Sequence, residues 1–212
     1  MIDTLGVYGG TFSPPHCGHY HAAEAFIRAI NPDRLLIIPT YIPPHKTETD
    51  GVTAADRLNM CRIAFSGLSG AVVSDMEIRR GGKSYTSDTL RALAGTARRI
   101  AMLVGTDMML TLDTWHEPET VFGLADLYCV RREDNPQLLE QIQAKNEQYF
   151  KAYGRRVHLL TAPPLEATST EIRKTLAKGE PGELLDPRVL AYIREKGLYG
   201  TDKNRKNLPF EE

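Results

Sequence analysis

Short apolar runs alternate with amphipathic segments along this chain. Such runs are typical of buried β-strands, and the predicted strands are 5–8, 34–38, 71–73, 99–104, 126–130 and 156–160. Apolar residues at helical spacing predict a first helix that runs through 22–29 and ends near residue 31. They also predict helices at 54–65, 87–94, 117–124 and from 136, with two more from about 169 and 188. The alternation predicts an α/β fold: a Rossmann-like doubly wound parallel sheet with a small C-terminal helical subregion.

The order of these strands decides where a ligand can bind. With the order 3-2-1-4-5, the first and fourth strands are neighbours at the topological switch point. Ligands of such sheets bind beyond the carboxyl ends of the strands at that point. The glycine turns after these two strands, at Gly9 and Gly105, then face each other across one crevice. We therefore expect a ligand site between them.

Length and composition bound the class of protein. The 212 residues, 42% hydrophobic and 25% charged, predict one domain over residues 1–199 followed by a polar tail at 200–212. The net charge of −1 gives no overall attraction to nucleic acid or an anionic membrane, although a local cationic pocket is compatible with it. Three widely spaced cysteines indicate no disulfide framework. With no signal-like start and no membrane-length apolar run, we expect a cytoplasmic protein.

The segment after the first predicted strand indicates a turn that enters a helix. Gly9 and Gly10 leave room for a ligand beside the backbone. The first N–H groups of the helix lack partners within it and lie at the positive end of its dipole, so this position suits an anion. His16 and His19 can face the same anion, and Gly18 removes a side chain between them. The alternatives are two polar histidines in a turn, or a zinc site without evident further ligands.

The string Gly9-Gly10-Thr11-Phe12-x-Pro-Pro-His16-x-Gly18-His19 resembles the signature of the His-x-Gly-His nucleotidyltransferase superfamily, and within it that of the bacterial nicotinate-nucleotide adenylyltransferases. The resemblance covers about residues 5–199. It implies an enzyme of NAD biosynthesis that joins the AMP part of ATP to nicotinate mononucleotide and releases pyrophosphate. It also implies Mg²⁺ held through the ATP phosphates without protein ligands, small-molecule partners, and no nucleic acid or membrane partner. A homo-oligomer is left open.

The resemblance further implies which residues bind ATP and support the reaction. The ATP and phosphate group is Gly9, Gly10, Thr11, Phe12, Gly18, Ser169 and Thr170. Ser169-Thr170-x-Ile172-Arg173 matches the end of a second signature, Ile-Ser-Ser-Thr-x-Ile-Arg, although Thr168 with Glu171 is also a capping-box pattern that needs no ligand. The implied catalytic group is His16, His19, Lys46 and Arg173. An anionic phosphate nucleophile needs only positioning and positive charge from these residues. A solvated side chain is the alternative for Lys46.

For the mononucleotide, the resemblance implies Thr86, Gly105, Asp107, Trp115 and His116. Trp115 would stack on the pyridine ring, and Thr86 with nearby N–H groups would receive the ring carboxylate. A lone tryptophan is also typical of a hydrophobic core, and Asp107 is also compatible with a helix N-cap. His116 stands where many relatives carry a different aromatic residue.

Other functions are compatible with the same patterns. The acceptor of the same fold could instead be nicotinamide mononucleotide, phosphopantetheine or an alcohol phosphate, and a non-catalytic nucleotide sensor is a further alternative. The intact set of His16, His19, Lys46 and Arg173 favours an enzyme over a sensor. The preference between acid and amide, and the roles of Arg131 and Arg132, are left open by the sequence.

Overall fold

Six parallel strands form one sheet in the part of the chain that the computed structural model describes, which is residues 2–44, 51–131, 135–161, 168–178 and 184–201. The strands are β1 (Ile2–Gly10), β2 (Arg34–Pro39), β3 (Ala71–Val73), β4 (Ala97–Val104), β5 (Asp126–Arg131) and β6 (His158–Thr161). Their order is β3-β2-β1-β4-β5-β6, with every neighbouring pair parallel. The predicted order is confirmed, and the sixth strand lies beside the fifth.

Helices connect the strands. They are α1 (Cys17–Ile30), α2 (Ala54–Ala64), α3 (Met76–Arg80), α4 (Thr86–Leu93), α5 (Thr106–Met109), α6 (Pro118–Leu124), α7 (Pro136–Tyr153), α8 (Ser169–Ala177) and α9 (Pro187–Lys196), with a 3₁₀ turn at Leu112–Thr114. The ends follow local chemistry: α1 ends at Asn31 in the left-handed conformation, and the Thr53 side chain caps α2 by accepting a hydrogen bond from the Asp56 N–H.

Hydrophobic cores cover both faces of the sheet, and alternate residues of β4 point into each. Met102 and Val104 belong to one core, which includes residues of α4, α6 and α7. Ala101 and Leu103 belong to the other, with residues of α1 and α2. Because both faces are buried, the central strands are apolar throughout, which is why the sequence shows runs rather than alternation.

The two C-terminal helices pack on α2 through a third apolar cluster. Met60 of α2 lies in this cluster with Ile172 of α8 and Val189 and Ile193 of α9. This is the predicted C-terminal helical subregion. The predicted tail lies outside the described residues except for its first two positions, 200 and 201.

Two short helices were not predicted. α3 has five residues, three of them charged, so no apolar periodicity marks it. α5 has four residues and begins directly after Gly105, where the sequence predicted only a turn. Both lie at the carboxyl-end side of the sheet, and both contribute residues to the cavities described next.

Candidate active site

Two adjoining cavities lie beyond the carboxyl ends of β1 and β4, at the predicted switch point. The first has a volume of about 130 Å³ and the second a volume of about 170 Å³. Gly9, Gly10 and Thr11 at the end of β1, together with Met108 of α5, line both cavities. The predicted crevice between the two turns is therefore present, and these four residues are the wall that two ligands would share. Met108 had no signal in the sequence.

Aromatic side chains surround the first cavity. Trp115 lines it and also packs against a core cluster, so the stacking and core interpretations of this residue are compatible. The rings of Tyr85 and His116 also line it, with their centroids 4.2 Å apart. Thr86 is the first residue of α4. The preceding residue, Tyr85, makes no capping hydrogen bond with its side chain. The N-terminus of α4 therefore borders the cavity without a side-chain cap. This arrangement suits a flat ring that carries a negative group.

A buried carboxyl group also borders the first cavity. Glu77 of α3 is 5% exposed, and its Oε1 accepts a hydrogen bond of 2.6 Å from the Thr89 hydroxyl. Burial raises the pKa of the Glu77 carboxyl above its ordinary value. Arg80 donates a further hydrogen bond to the same hydroxyl group. Nothing in the sequence singles out Glu77, because it lies among other charged residues in a segment without a periodic pattern.

Polar groups from three helices line the second cavity. His19 of α1, Asp107 of α5 and Ser169 of α8 reach it, and so does Gly105. Gly105 is the N-cap residue of α5, so the N-cap alternative for Asp107 is wrong. Gly105 and Asp107 thus line the cavity of His19, whereas Trp115 lines the other one. Contact of these two residues with the mononucleotide stays a prediction.

His16 and His19 form a hydrogen-bonded pair where α1 begins. The Nδ1 of His16 accepts from the Gly18 N–H at 3.1 Å, and the Nδ1 of His19 accepts from the His16 N–H at 3.2 Å. Because both Nδ1 atoms accept, each neutral ring carries its proton on Nε2, which makes Nε2 a donor. The ring centroids are 3.8 Å apart. His16 is only 4% exposed and is not part of the lining of either cavity, so its contact with the anion stays a prediction.

The start of α1 differs from the expectation in one respect. The sequence predicted N–H groups there without partners, ready to bind an anion. In the structure the Cys17 N–H donates to the Leu184 carbonyl at 2.9 Å, and the Gly18 N–H donates to His16. Because protein acceptors occupy these two groups, any attraction for an anion at this position comes from the helix dipole and from side chains.

The start of α8 holds the loop that follows β1. The Ser169 hydroxyl donates to the Pro14 carbonyl at 3.1 Å, and Arg173 Nη1 donates to the Ser13 carbonyl at 2.8 Å. Thr168 caps the helix by accepting from the Glu171 N–H at 3.2 Å, so the capping interpretation is confirmed. These bonds bring Ser169 to the second cavity. Direct contacts of phosphate with Ser169, Thr170 or Arg173 stay predictions.

Phe12 packs against the His19 ring from the buried side of the site. Its side chain is 2% exposed, and its ring lies edge-on to the His19 ring with centroids 5.0 Å apart. A Cβ atom added to Gly10 would lie 3.1 Å from the Phe12 ring, so Gly10 permits this close packing. Phe12 also lines the second cavity, and its contact with ATP stays a prediction.

Three positively charged residues from the sequence analysis differ in whether the structure describes them. Lys46 and Arg132 lie outside the described residues, whereas Arg131 is the last residue of β5.

Among the described residues, no group of three or more His, Cys, Asp or Glu side chains could hold a metal ion. Within the same ranges, no helix has both the length and the apolar character needed to cross a bilayer.

A parallel sheet with a His-x-Gly-His helix start at its switch point defines a class of nucleotidyltransferases. The chain belongs to the cytidylyltransferase-like family, whose model matches residues 7–175. It is 36% identical to a probable nicotinate-nucleotide adenylyltransferase of Desulfatibacillum aliphaticivorans, an alignment that covers 92% of this chain and 99% of the relative. It is 35% identical to a protein of the same name from Chromobacterium violaceum, over 94% of this chain and all of that one, 100%.

Solved structures support the same fold. A Plasmodium falciparum nicotinic acid mononucleotide adenylyltransferase complexed with NaAD matches with a TM-score of 0.71 at 19% identity, over 93% of this chain and 97% of that chain. The same Plasmodium enzyme complexed with APC matches with a TM-score of 0.69 at 17% identity, with equal coverage, 93% and 97%. At these identities the likeness is one of fold.

Proposed function

We propose that this chain is a nicotinate-nucleotide adenylyltransferase, which joins the AMP part of ATP to nicotinate mononucleotide and forms nicotinate adenine dinucleotide and pyrophosphate. The observation that carries the proposal is the pair of cavities that meet at Gly9, Gly10 and Thr11. One is aromatic and the other is polar, as a pyridine ring and a polyphosphate require. The names of relatives at 36% and 35% identity over nearly the whole chain support the same activity.

The reaction is a substitution at phosphorus. A phosphate oxygen of the mononucleotide attacks the α-phosphorus of ATP, a new P–O bond forms, and the bond between the α-phosphorus and the bridging oxygen breaks. Pyrophosphate leaves with the electron pair. The nucleophile is already anionic, so no general base and no covalent enzyme intermediate are required, and the protein contributes positioning and charge stabilisation.

His19 has the clearest part in this reaction. It lines the polar cavity, and its Nδ1 is held by the His16 N–H, which leaves the proton on Nε2. That N–H would donate to a phosphate oxygen as negative charge accumulates. His16 would orient His19 or share the phosphate, and Arg173 and Lys46 would add positive charge. These roles of His16, Arg173 and Lys46 follow from the motif match.

The first cavity would hold the nicotinate ring. Trp115 would stack on the ring, with Tyr85 and His116 beside it, and the N-terminus of α4 at Thr86 would receive the carboxylate. The second cavity would hold the ATP phosphates between His19 and Ser169. Gly105 and Asp107 border the reacting phosphates in this assignment.

Magnesium fits this site as a companion of ATP. Asp107 is the carboxylate on the described lining of the second cavity, and one carboxylate suits Mg²⁺ that is held mostly by phosphate and water. When bound, Mg²⁺ neutralises charge on the leaving pyrophosphate.

The proposal places the enzyme in the cytoplasm, where ATP is available. It treats residues 1–199 as one nucleotidyltransferase domain, because α8 contributes Ser169 to the site.

A coupled pyrophosphate-release assay tests the proposal. The full chain is incubated with ATP, Mg²⁺ and, in turn, nicotinate mononucleotide, nicotinamide mononucleotide, phosphopantetheine and an alcohol phosphate. We expect release with nicotinate mononucleotide well above the others, and a product with the mass of nicotinate adenine dinucleotide. Preference for another acceptor would identify a different transferase of this fold. Nucleotide binding without release from any acceptor would favour the sensor.

A further inference from the structure

An arginine is completely buried behind the shared wall of the two cavities. Arg57 of α2 is 0% exposed, and its helix neighbours Met60 and Cys61 are equally buried. Within the described ranges, no carboxylate lies within ion-pair distance of its guanidinium. An arginine in an apolar stripe is costly to desolvate, so its hydrogen bonds must hold it in place.

The guanidinium of Arg57 joins two loops. Its Nη1 donates to the Thr11 carbonyl at 2.8 Å, and its Nη2 donates to the Tyr41 carbonyl at 3.0 Å. Nη1 also lies 3.4 Å from the hydroxyl of Thr40. Thr11 belongs to the turn after β1 that lines both cavities, and Thr40 begins the loop after β2. The backbone also joins the two loops, through the Thr40 N–H that donates to the Gly10 carbonyl at 3.0 Å. The planar guanidinium adds a second link beyond this bond, because it holds the Thr11 and Tyr41 carbonyls together.

The loop after β2 is held from its other side by the segment that leads into α4. The Tyr41 N–H donates to the Ser84 hydroxyl at 2.8 Å, and the Ser84 N–H donates to the Ile42 carbonyl at 2.9 Å. Thr40, Pro43 and Ser84 line the first cavity. The main chain of Tyr41 is thus held at both its N–H and its carbonyl. Of these two partners in the described part of the chain, Arg57 also bonds to the turn after β1, at the Thr11 carbonyl.

We propose that Arg57 is a positioning residue for adenylyl transfer, acting by holding the Thr11 and Tyr41 carbonyls at once so that the wall of both cavities keeps the spacing the reacting phosphates need. The inference rests on the proposed function. It concerns alignment rather than contact, because Arg57 is not part of the lining of either cavity. Desolvation lowers the pKa of Arg57, but an arginine stays protonated at neutral pH. Its positive charge therefore also lies behind the turn that faces the phosphates.

Two variants of Arg57 and a matched control test this role in the full chain. Arg57→Met removes the hydrogen bonds to the Thr11 and Tyr41 carbonyls and the weaker one to the Thr40 hydroxyl, and it fills most of the space. Arg57→Lys keeps the charge but, as a single ammonium on a flexible stem, cannot hold both carbonyls in the same planar geometry. Arg62→Met is the control, because Arg62 lies on the same helix and is exposed. For each variant, circular dichroism and thermal unfolding give the folded fraction, and kinetics give kcat and KM per folded enzyme.

We expect kcat of both Arg57 variants to fall about 10- to 100-fold while KM for each substrate changes less, since misalignment weakens the transition state more than binding. Hydrogen exchange should be faster at residues 9–12 and 40–42 in both Arg57 variants and unchanged in Arg62→Met. A folded Arg57→Met with wild-type kcat overturns the inference. So do a loss of activity equal to the loss of folded protein, and exchange that rises evenly over the whole chain.

The exchange readout needs no catalysis, so failure of the inference can be told apart from failure of the proposed function. A wild-type chain that releases no pyrophosphate refutes the function alone. Unchanged exchange at residues 9–12 and 40–42 in both Arg57 variants refutes the positioning role, whatever the activity. If neither variant folds even with ATP present, Arg57 is a structural anchor and the inference is wrong.

Discussion

Two glycines of β1 have different physical reasons for being glycine. A Cβ atom on Gly6 would lie 3.0 Å from Leu35 Cδ1, 3.1 Å from Phe26 Cε1 and 3.3 Å from the Arg34 carbonyl oxygen. A Cβ atom on Gly9 would meet only the Ile38 carbonyl oxygen, at 4.0 Å. The protein itself therefore needs Gly6 for close packing of α1 against the sheet, whereas it leaves Gly9 free for a ligand to approach.

This contrast predicts that an alanine substitution lowers the stability of the fold at Gly6 but lowers the activity at Gly9. Gly6→Ala should lower the free energy of unfolding by ~1–3 kcal/mol, because the core must shift to admit the methyl group. Gly9→Ala should leave the free energy of unfolding within about 0.5 kcal/mol of wild type. It should nevertheless lower kcat/KM by about tenfold or more, because the methyl group enters the shared wall. Urea unfolding measures the free energy of unfolding, and steady-state kinetics measure kcat/KM. A Gly9→Ala enzyme with unchanged kinetics would remove Gly9 from the site.

The imidazole of His19 is the residue-scale test of the chemistry. If its N–H contact contributes ~3 kcal/mol to the transition state, His19→Ala should lose about 10²-fold in kcat. His21→Ala is the matched control, because His21 lies on α1 and is exposed. Full turnover by His19→Ala, measured by pyrophosphate release, would refute the proposed role of the side chain.

At the scale of elements, α7 holds the loop that carries the aromatic wall of the first cavity. Lys145 Nζ lies 2.8 Å from Asp113 Oδ2 and 3.0 Å from Asp113 Oδ1. The Tyr149 hydroxyl donates to the Met109 carbonyl at 2.6 Å. Trp115 follows Asp113 by two positions, so these contacts on one side of the molecule help to place the tryptophan. The sequence marked the apolar face of α7 but not these polar contacts.

This connection predicts a pH-dependent stability difference. The hydrogen bond from Lys145 holds the pKa of Asp113 below its ordinary 3.8. A lowered folded-state pKa stabilises the fold above the unfolded pKa, and this stabilisation is lost as pH falls through the folded value. Asp113→Asn should therefore have a lower Tm than wild type near neutral pH, with the difference narrowing below about pH 4. Thermal unfolding across this range measures it, and a constant difference would exclude the ion pair as its cause.

The starts of α1 and α8 show how the first polar groups of a helix find partners. For the start of α8, the sequence predicted a phosphate site at Ser169 and Thr170, with a cap by Thr168 and Glu171 as the alternative. The structure shows the Thr168 cap and places Ser169 on the lining of the second cavity, where contact with phosphate stays a prediction. The predicted N–H donors at the start of α1 are instead taken up by Leu184 and His16. A helix dipole is a local property of the sequence, but whether its first N–H groups meet a protein acceptor depends on distant residues.

At the scale of the whole molecule, the two cavities are parts of one crevice because β1 and β4 are neighbours in the sheet. Under the proposed function, a dinucleotide product occupies both cavities at once, with its pyridine ring beside Trp115 and its phosphates beside His19. Each substrate alone would fill mainly one cavity.

Product inhibition tests this arrangement. Nicotinate adenine dinucleotide should compete with both ATP and nicotinate mononucleotide, because it excludes each from its own cavity. It should also raise Tm more than either substrate at equal saturation of its own binding, since it contacts both walls. Initial-rate inhibition patterns and thermal shifts provide the measurements. A product that at saturation still lets ATP or nicotinate mononucleotide bind would show that the cavities are not the two halves of the site.

The alternation of strands and helices, the α/β class and the turn at residues 9–19 could all be predicted from the sequence alone. Burial of a parallel sheet and glycine turns leave local patterns in it. The sequence also indicated the end of α1 near residue 31. It did not reveal α3, α5, Glu77 or Met108, because short helices and isolated side chains have no periodicity.

Which of the candidate residues lie together depends on the three-dimensional fold. It placed His19 on the crevice with His16 behind it, brought Ser169 from far along the chain, and divided the site into an aromatic and a polar cavity. It also buried Arg57 between two loops that the sequence separates by about thirty residues. The physical reason is that local propensity sets each element, whereas contacts between distant elements depend on how the sheet orders its strands and on which groups then compete for the same hydrogen bonds.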